Sequence, residues 1–239
     1  MIKKSFYLLA LATVLTSCDT LSSLPGGYGT PTQQGPVTER EAGEGIRQAL
    51  SQGISSAILA LNKKDGFFGN EAYKMFLPED VQKVERTLRN IGLGNQVDRA
   101  ILQINRAAED AVGFAKPIFA DAIKEMTIQD AVQIIKGGKN SVTEYFRGKT
   151  YSKLIAAFSP TIKTSLDKVE ATRFYTDLVN TYNNLPTTRT KINPDLIAYV
   201  AEKATNALFD QIAEEEENIR TNPAARTTEI LKKVFGNIK

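Results

Sequence analysis

The sequence contains no histidine and no tryptophan, and only one cysteine among its 239 residues. Without histidine, the chain has no Ser-His-Asp triad, no Cys-His catalytic pair and no His-ligated zinc site. A single cysteine excludes an intramolecular disulfide and a site built from several thiolates. Any chemistry would therefore use carboxylates, Lys, Arg, Tyr or Ser, and the sequence predicts no metal site and no cofactor.

The N-terminus has the features of a bacterial lipoprotein signal. Lys3 and Lys4 precede an uncharged apolar run from Phe6 to Leu15, and small polar residues lead from there to Cys18. The run is shorter than the roughly 20 residues that span a bilayer. Residues 15–18 (Leu-Thr-Ser-Cys) resemble a lipobox, so we predict a signal peptide over 1–17 and lipidation at Cys18. The alternative is an ordinary secretory signal that contains a cysteine.

Residues 18–37 are predicted to form a flexible linker, because they are rich in Gly, Pro, Ser, Thr and Gln. As a flexible coil, such a segment has an end-to-end distance of roughly 25 Å. Removal of 1–17, which carries two lysines and no acid, lowers the formal net charge from +3 to +1. A nucleic-acid-binding protein would carry a strong basic excess, so we expect no nucleic-acid partner. We expect attachment to the inner or outer membrane through Cys18, with the body facing the periplasm.

From Thr38 onward, apolar residues recur with a period of 3.6, and no stretch keeps a period of two. We therefore predict an all-α fold, a single multi-helix globular domain over 38–239 with about nine helices. Ser159-Pro160 indicates an additional helix start. Three pairs with capping-box spacing mark further starts: Thr38 with Glu41, Thr127 with Asp130, and Ser141 with Glu144.

Several short segments in this region suggest a family. They are Leu77-Pro78-Glu79, Gly92-Leu93-Gly94, Asn105-Arg106-Ala107-Ala108-Glu109, Tyr145-Phe146-Arg147, Asp195-Leu196, and Pro223-Ala224-Ala225-Arg226-Thr227-Thr228 followed by Val234-Phe235-Gly236. The chain from about Thr38 to its end resembles bacterial domain-of-unknown-function family 4197. The resemblance implies a helical, exported protein and supplies no activity, substrate or catalytic residue.

Five polar residues lie where helical projection places apolar neighbours. Gln211 and Glu215 fall inside the apolar arc of their helix, and Arg147 falls among the apolar residues of the helix after Ser141. Asn105 and Glu109 lie on the rim of their own helix stripe. An unpaired buried charge costs several kcal/mol, so we hypothesise a buried polar network that includes Arg147 and Glu215. The alternative is a frayed helix end for Glu215 and a snorkelling side chain for Arg147.

The acidic run 214–217 is interpreted as a solvated helix end, because four consecutive residues point around the whole helix. Two function classes remain open for the chain. The favoured hypothesis is a membrane-anchored envelope lipoprotein with a helical binding or structural module. The alternative is a carboxylate-dependent hydrolase acting on cell-wall glycan, which needs only two acids at a suitable separation.

Overall fold

The computed structural model describes residues 38–236 apart from 79–80, 91, 169, 185, 187, 189–190, 192 and 194. The predicted signal peptide, Cys18 and linker lie outside the described residues. Within them, regular structure consists of helices without any strand, which confirms the all-α fold. The α-helices are α1 (Glu39–Asn62), α2 (Gln82–Asn90), α3 (Gly94–Val112), α4 (Ala115–Glu125), α5 (Ile128–Lys136), α6 (Ser141–Asp167), α7 (Ala171–Asn183), α8 (Leu196–Thr221) and α9 (Glu229–Gly236), with a short 3₁₀ helix (Pro223–Ala225) before α9.

The longest helices form the centre of the domain. Helix α6 packs against α3 and α8, and α1 packs against α8 and α3, while α4, α5 and α9 cover the rest of α1. At the middle, the ring of Phe119 contacts those of Phe146 and Phe209, with centroids 5.8 and 6.0 Å apart. All three side chains are buried, and tilted ring pairs of this kind add to the stabilisation that burial supplies. Along the described chain, no helix is both long and apolar enough to cross a membrane.

The capping box predicted at Thr38 and the helix start predicted at Thr127 are confirmed. Thr38 caps α1, its hydroxyl accepting the Glu41 backbone N–H while the Glu41 carboxylate accepts the Thr38 N–H. Thr127 and Asp130 make the same reciprocal pair at α5. The bond from the Thr38 backbone, together with Lys233 of α9 at 2.9 Å, lowers the pKa of Glu41 to about 2. The start of α1 is thus joined to α9 by an ion pair.

The predicted capping box of Ser141 with Glu144 is wrong. Asn140 is the N-cap residue of α6, it lies in the left-handed region with a φ of 64°, and its side chain makes no capping bond. The Ser141 hydroxyl instead donates to the Ile134 carbonyl at the end of α5, at 2.7 Å. The backbone N–H groups at the start of α6 therefore need an acceptor from elsewhere in the fold.

The helix start predicted at Pro160 is also wrong, because α6 runs through this residue without a break. Pro160 is exposed on the outer side of the helix. One buried stripe continues across it, formed by Leu154, Phe158, Ile162 and Leu166. Burying these four side chains contributes more than the roughly 3 kcal/mol that an internal proline costs, so the helix persists.

Candidate functional site

A 16-residue segment without helix or strand connects α1 to the region before α2. This segment, residues 63–78, is called the aromatic loop because it carries Phe67, Phe68, Tyr73 and Phe76. Phe67 is fully buried, whereas Phe76 is 51% exposed. A connection of this length in a small domain is uncommon unless it is functional or disordered. The aromatic loop is ordered by side chains from α3.

The first of these side chains is Asn105, which is completely buried. Its Oδ1 accepts the Met75 backbone N–H, and its Nδ2 donates to the Met75 carbonyl, both at 2.8 Å. Nδ2 also donates to the Ile101 carbonyl one turn earlier on α3, at 2.8 Å. The amide thus satisfies both backbone groups of one loop residue in a place that water does not reach.

The second is Glu109, one turn further along α3 and 3% exposed. Its Oε1 accepts the backbone N–H groups of Phe67 and Phe68, each at 3.1 Å. Its Oε2 pairs with Arg106 Nη1 at 2.5 Å, and Arg106 Nη2 reaches the loop residue Asp65 at 2.7 Å. The buried carboxylate therefore has a charged partner and two backbone donors, which together compensate for its loss of hydration.

The far side of the aromatic loop faces α8 across a cleft of about 440 Å³. Phe76 and Tyr199 line one part of it, and the Tyr199 hydroxyl donates to the Phe76 carbonyl at 3.1 Å. Tyr73 and Asp210 line another part. Burial, followed by the charges of Glu214 and Asp210, raises the pKa of Tyr73 to about 12. The cleft volume falls within the range of small-molecule sites.

Two lysines of this cleft lie close to aromatic rings. The ammonium of Lys74 lies 4.2 Å from the ring centroid of Phe68 and 5.6 Å from that of Phe76. Across the cleft, the ammonium of Lys203 lies 5.9 Å from the ring centroid of Tyr199. Each lysine is within the distance at which a cation is attracted by an aromatic face.

The other buried carboxylate, Glu216, supplies the acceptor that the start of α6 lacks. This residue of α8 is 6% exposed. Its Oε1 accepts the Val142 N–H at 3.2 Å, and its Oε2 accepts the Thr143 N–H and hydroxyl at 3.0 and 2.9 Å. Arg220, one turn later, donates from Nε to Oε1 at 2.9 Å. A carboxylate at a helix N-terminus is also favoured by the helix dipole.

The interpretation of the acidic run 214–217 as a solvated helix end is therefore wrong for Glu216. A signal for its burial is present in the sequence, because on a helix Glu216 projects about 40° from Ile212 and about 60° from Ile219. Both isoleucines are buried. Glu214 and Glu217, which point away from this arc, are exposed.

The remaining residues of the hypothesised network, Arg147, Gln211 and Glu215, each contact different partners. Arg147 is half-buried, with Nη1 3.0 Å from Asn206 Oδ1 and its guanidinium 4.6 Å from the Phe209 ring centroid. Gln211 donates to Glu214 at 2.7 Å, and Glu214 accepts the Tyr73 hydroxyl at 3.3 Å.

Glu215 is half-buried beside α1, where a Cβ added to Gly53 would lie 3.5 Å from its own Cβ. Burial, and then Glu214, raises its pKa.

In the described part of the chain, the five residues form no hydrogen bond with one another, so Arg147 is not joined to Glu215. Four of them nevertheless border the same region. Asn105 and Glu109 hold the aromatic loop, Arg147 bonds to the cleft residue Asn206, and Gln211 bonds to the acceptor of Tyr73.

Sequence reasoning did not find the cleft itself. The available signal was the concentration of four aromatic residues in one segment without helical period, 63–78. Within the described residues, no group of three or more Cys, Asp or Glu side chains is arranged to hold a metal ion.

Comparison with known proteins agrees with the resemblance noted in the sequence. The model of the family described as "Protein of unknown function (DUF4197)" matches residues 36–236, which include every described helix. No curated protein matches the chain, and no solved structure does. The family description names no activity, so the function has to be argued from the residues of this chain.

Proposed function

The chain belongs to the DUF4197 family of proteins of unknown function, and from its own residues we propose that it is a lipid-anchored binding module of the bacterial envelope. The ligand site is the cleft between the aromatic loop and α8. In this role the helical domain performs no chemistry and presents a preformed surface to a partner.

The observation that carries this proposal is the use of two buried polar side chains to hold the aromatic loop, which exposes Phe76. Asn105 and Glu109 direct their hydrogen bonds to the backbone of Met75, Phe67 and Phe68 rather than to other helices. Burying a carboxylate and an amide is costly unless every bond is made. A loop ordered before binding loses less conformational entropy when it meets a ligand, which raises affinity.

The predicted anchor is compatible with this site. The linker predicted over 18–37 would join the domain at Thr38, where α1 begins, whereas the aromatic loop follows the other end of α1. A helix of 24 residues is about 36 Å long. The cleft therefore lies toward the end of α1 that is remote from Thr38, and the predicted linker would leave it accessible.

The two buried carboxylates, Glu109 and Glu216, are not available as the acid and base of a glycan hydrolase. A general acid or base needs an oxygen that can reach the substrate. Both oxygens of Glu109 and both oxygens of Glu216 are occupied by donors within the protein. Each carboxylate has a structural use that accounts for its burial.

Photo-crosslinking in cells tests the site. A benzoylphenylalanine is placed at Phe76 in the full chain, and the matched control carries it at Phe114, which is 52% exposed but lies between α3 and α4. We expect a discrete adduct at position 76 that is absent at 114. The substitution Asn105→Leu, in a variant whose helical circular dichroism is retained, should reduce the adduct because it releases Met75. Equal adducts at 76 and 114 would contradict the proposal.

Fractionation tests the anchor. Membrane-fraction protein should begin at an acylated Cys18 by mass spectrometry, and Cys18→Ala should release or mislocalise the chain. A wild-type protein that is recovered soluble and cleaved at another position would overturn this part.

A further inference from the structure

We propose that the cleft takes an anionic ligand that carries a planar or apolar face beside its carboxylate or phosphate group. This inference rests on the proposed binding function and deepens it by naming the ligand chemistry. It is carried by the arrangement of two lysines and two aromatic rings at one end of the cleft.

The two aromatic residues line the same cleft. The Tyr199 hydroxyl donates to the carbonyl of Phe76, so the residues on α8 and on the aromatic loop are joined at 3.1 Å. The Lys74 ammonium lies 4.2 Å from the ring centroid of Phe68 and 5.6 Å from that of Phe76, and the Lys203 ammonium lies 5.9 Å from that of Tyr199. The loop and α8 thus each contribute one cation and one aromatic ring to the cleft.

The two lysines differ in their pairing from many other cations in the described part of the chain. Among the residues that the structure describes, Lys74 and Lys203 form no ion pair with a carboxylate, although many other lysines and arginines do. An aromatic face attracts a cation but carries no net charge. The ammonium groups of the half-buried Lys74 and the exposed Lys203 therefore remain available to an external anion.

Among the residues that the structure describes, the carboxylate that lines the cleft, Asp210, lies toward its other end. Asp210 follows Lys203 by seven residues on α8, a separation of about 10 Å along the helix. Asp210 and Glu214 act on Tyr73, raising its pKa together with burial. The cleft thus has a basic end at Phe76 and Tyr199 and an acidic end at Tyr73. The anion is placed at the basic end, with its planar or apolar face on the Phe76 ring.

Calorimetric titration of the full chain in detergent tests this assignment with three probes. They are 1-naphthyl phosphate, which has both features, 1-naphthol, which lacks the charge, and inorganic phosphate, which lacks the ring. We expect 1-naphthyl phosphate to bind about tenfold more tightly than either of the others. Its affinity should fall as salt is raised, because the lysines are partly exposed to solvent.

Substitution of the lysines supplies the structural control. Lys74→Ala and Lys203→Ala should each weaken 1-naphthyl phosphate binding about fivefold, the effect of losing one solvent-accessible charge contact. Lys116→Ala, at an exposed lysine of α4 outside the cleft, should leave the affinity unchanged. Equal affinity for 1-naphthol, or equal effects of all three substitutions, would overturn the inference.

Competition distinguishes the source of the anion. Phosphatidylglycerol added to the detergent micelles that displaces 1-naphthyl phosphate indicates a lipid headgroup, whereas phosphatidylglycerol without effect indicates a soluble ligand. The preference for 1-naphthyl phosphate over 1-naphthol tests the anionic chemistry, and this competition assigns its source.

Failure of the charge preference leaves the binding function standing, as long as the crosslink at position 76 remains specific. Loss of that specificity contradicts the binding function itself.

Discussion

Replacing Glu216 with glutamine should destabilise the domain, although the change removes only a charge and keeps the shape of the side chain. The carboxylate accepts four bonds, from the N–H groups of Val142 and Thr143, the Thr143 hydroxyl and Arg220 Nε. A glutamine amide offers one acceptor oxygen, and its NH₂ group would face donors. At least one donor at the start of α6 is then left without an acceptor.

The structure sets the size of the loss. Removing one member of a buried ion pair typically costs 3–5 kcal/mol. Arg220 has a side chain that is 14% exposed, and it keeps its bonds to the Ile134 carbonyl and the Ser141 hydroxyl. These contacts place Glu216→Gln at the lower end of that range, about 3 kcal/mol. This is a large fraction of the 5–15 kcal/mol that holds most domains folded.

Urea unfolding followed by circular dichroism measures the difference, and Glu215→Gln is the matched control. Burial and the neighbouring Glu214 raise the pKa of Glu215 in the folded state above its ordinary value of 4.5. The folded protein therefore binds this proton more tightly than the unfolded chain does. The free energy of unfolding falls as the pH rises from the ordinary pKa of Glu215 to its raised pKa. Glutamine mimics the protonated form, so Glu215→Gln should stabilise the domain at pH 7, with a gain that disappears below the ordinary pKa.

The two adjacent substitutions should thus have opposite signs at neutral pH. A loss below about 1 kcal/mol for Glu216→Gln would refute the argument that its hydrogen bonds hold the start of α6. So would a destabilisation of the same size for Glu215→Gln, because the two residues would then be energetically equivalent.

Two further perturbations follow from buried hydroxyls. The Thr205 hydroxyl is fully buried and has no hydrogen-bond partner among the described residues, so Thr205→Val should stabilise the domain by about 1 kcal/mol in urea unfolding. Thr143→Val should instead cost about 2 kcal/mol, because it removes a bond to a carboxylate; equal effects would contradict both assignments. In ultraviolet titration, Tyr73 should ionise near pH 12, and Glu214→Gln should lower that pKa. Because the folded pKa of Tyr73 exceeds the ordinary value of 10, the free energy of unfolding should fall as the pH rises from about 10 to 12.

The helical architecture could be predicted because its determinants are local. The apolar period of 3.6 and the capping boxes at Thr38 and Thr127 involve residues within one or two turns of each other. Pro160 shows where local reasoning stops. The rule that proline begins a helix is local, but the buried stripe that continues from Leu154 to Leu166 depends on α3 and α8 packing over it.

The candidate site could be predicted only in part, for the same physical reason. Helical projection identifies Asn105 and Glu109 as polar residues at the edge of an apolar stripe, but it contains nothing about what they contact. Their partners Met75, Phe67 and Phe68 lie 30 to 42 positions away in the chain. A hydrogen bond to a backbone group leaves no mark on the identity of the partner residue, because every residue except proline has the same N–H and C=O groups.

Glu216 extends this argument to charge. The start of α6, where the Asn140 side chain makes no capping bond, is revealed by the structure, whereas the glutamate in the apolar arc of α8 can be located from the sequence. Neither is explained alone, since each costs free energy until the other compensates for it. The two features lie more than 70 positions apart. Matching unsatisfied donors in one helix with a misplaced carboxylate in another therefore predicts a tertiary contact, where hydrophobic period predicts only a helix.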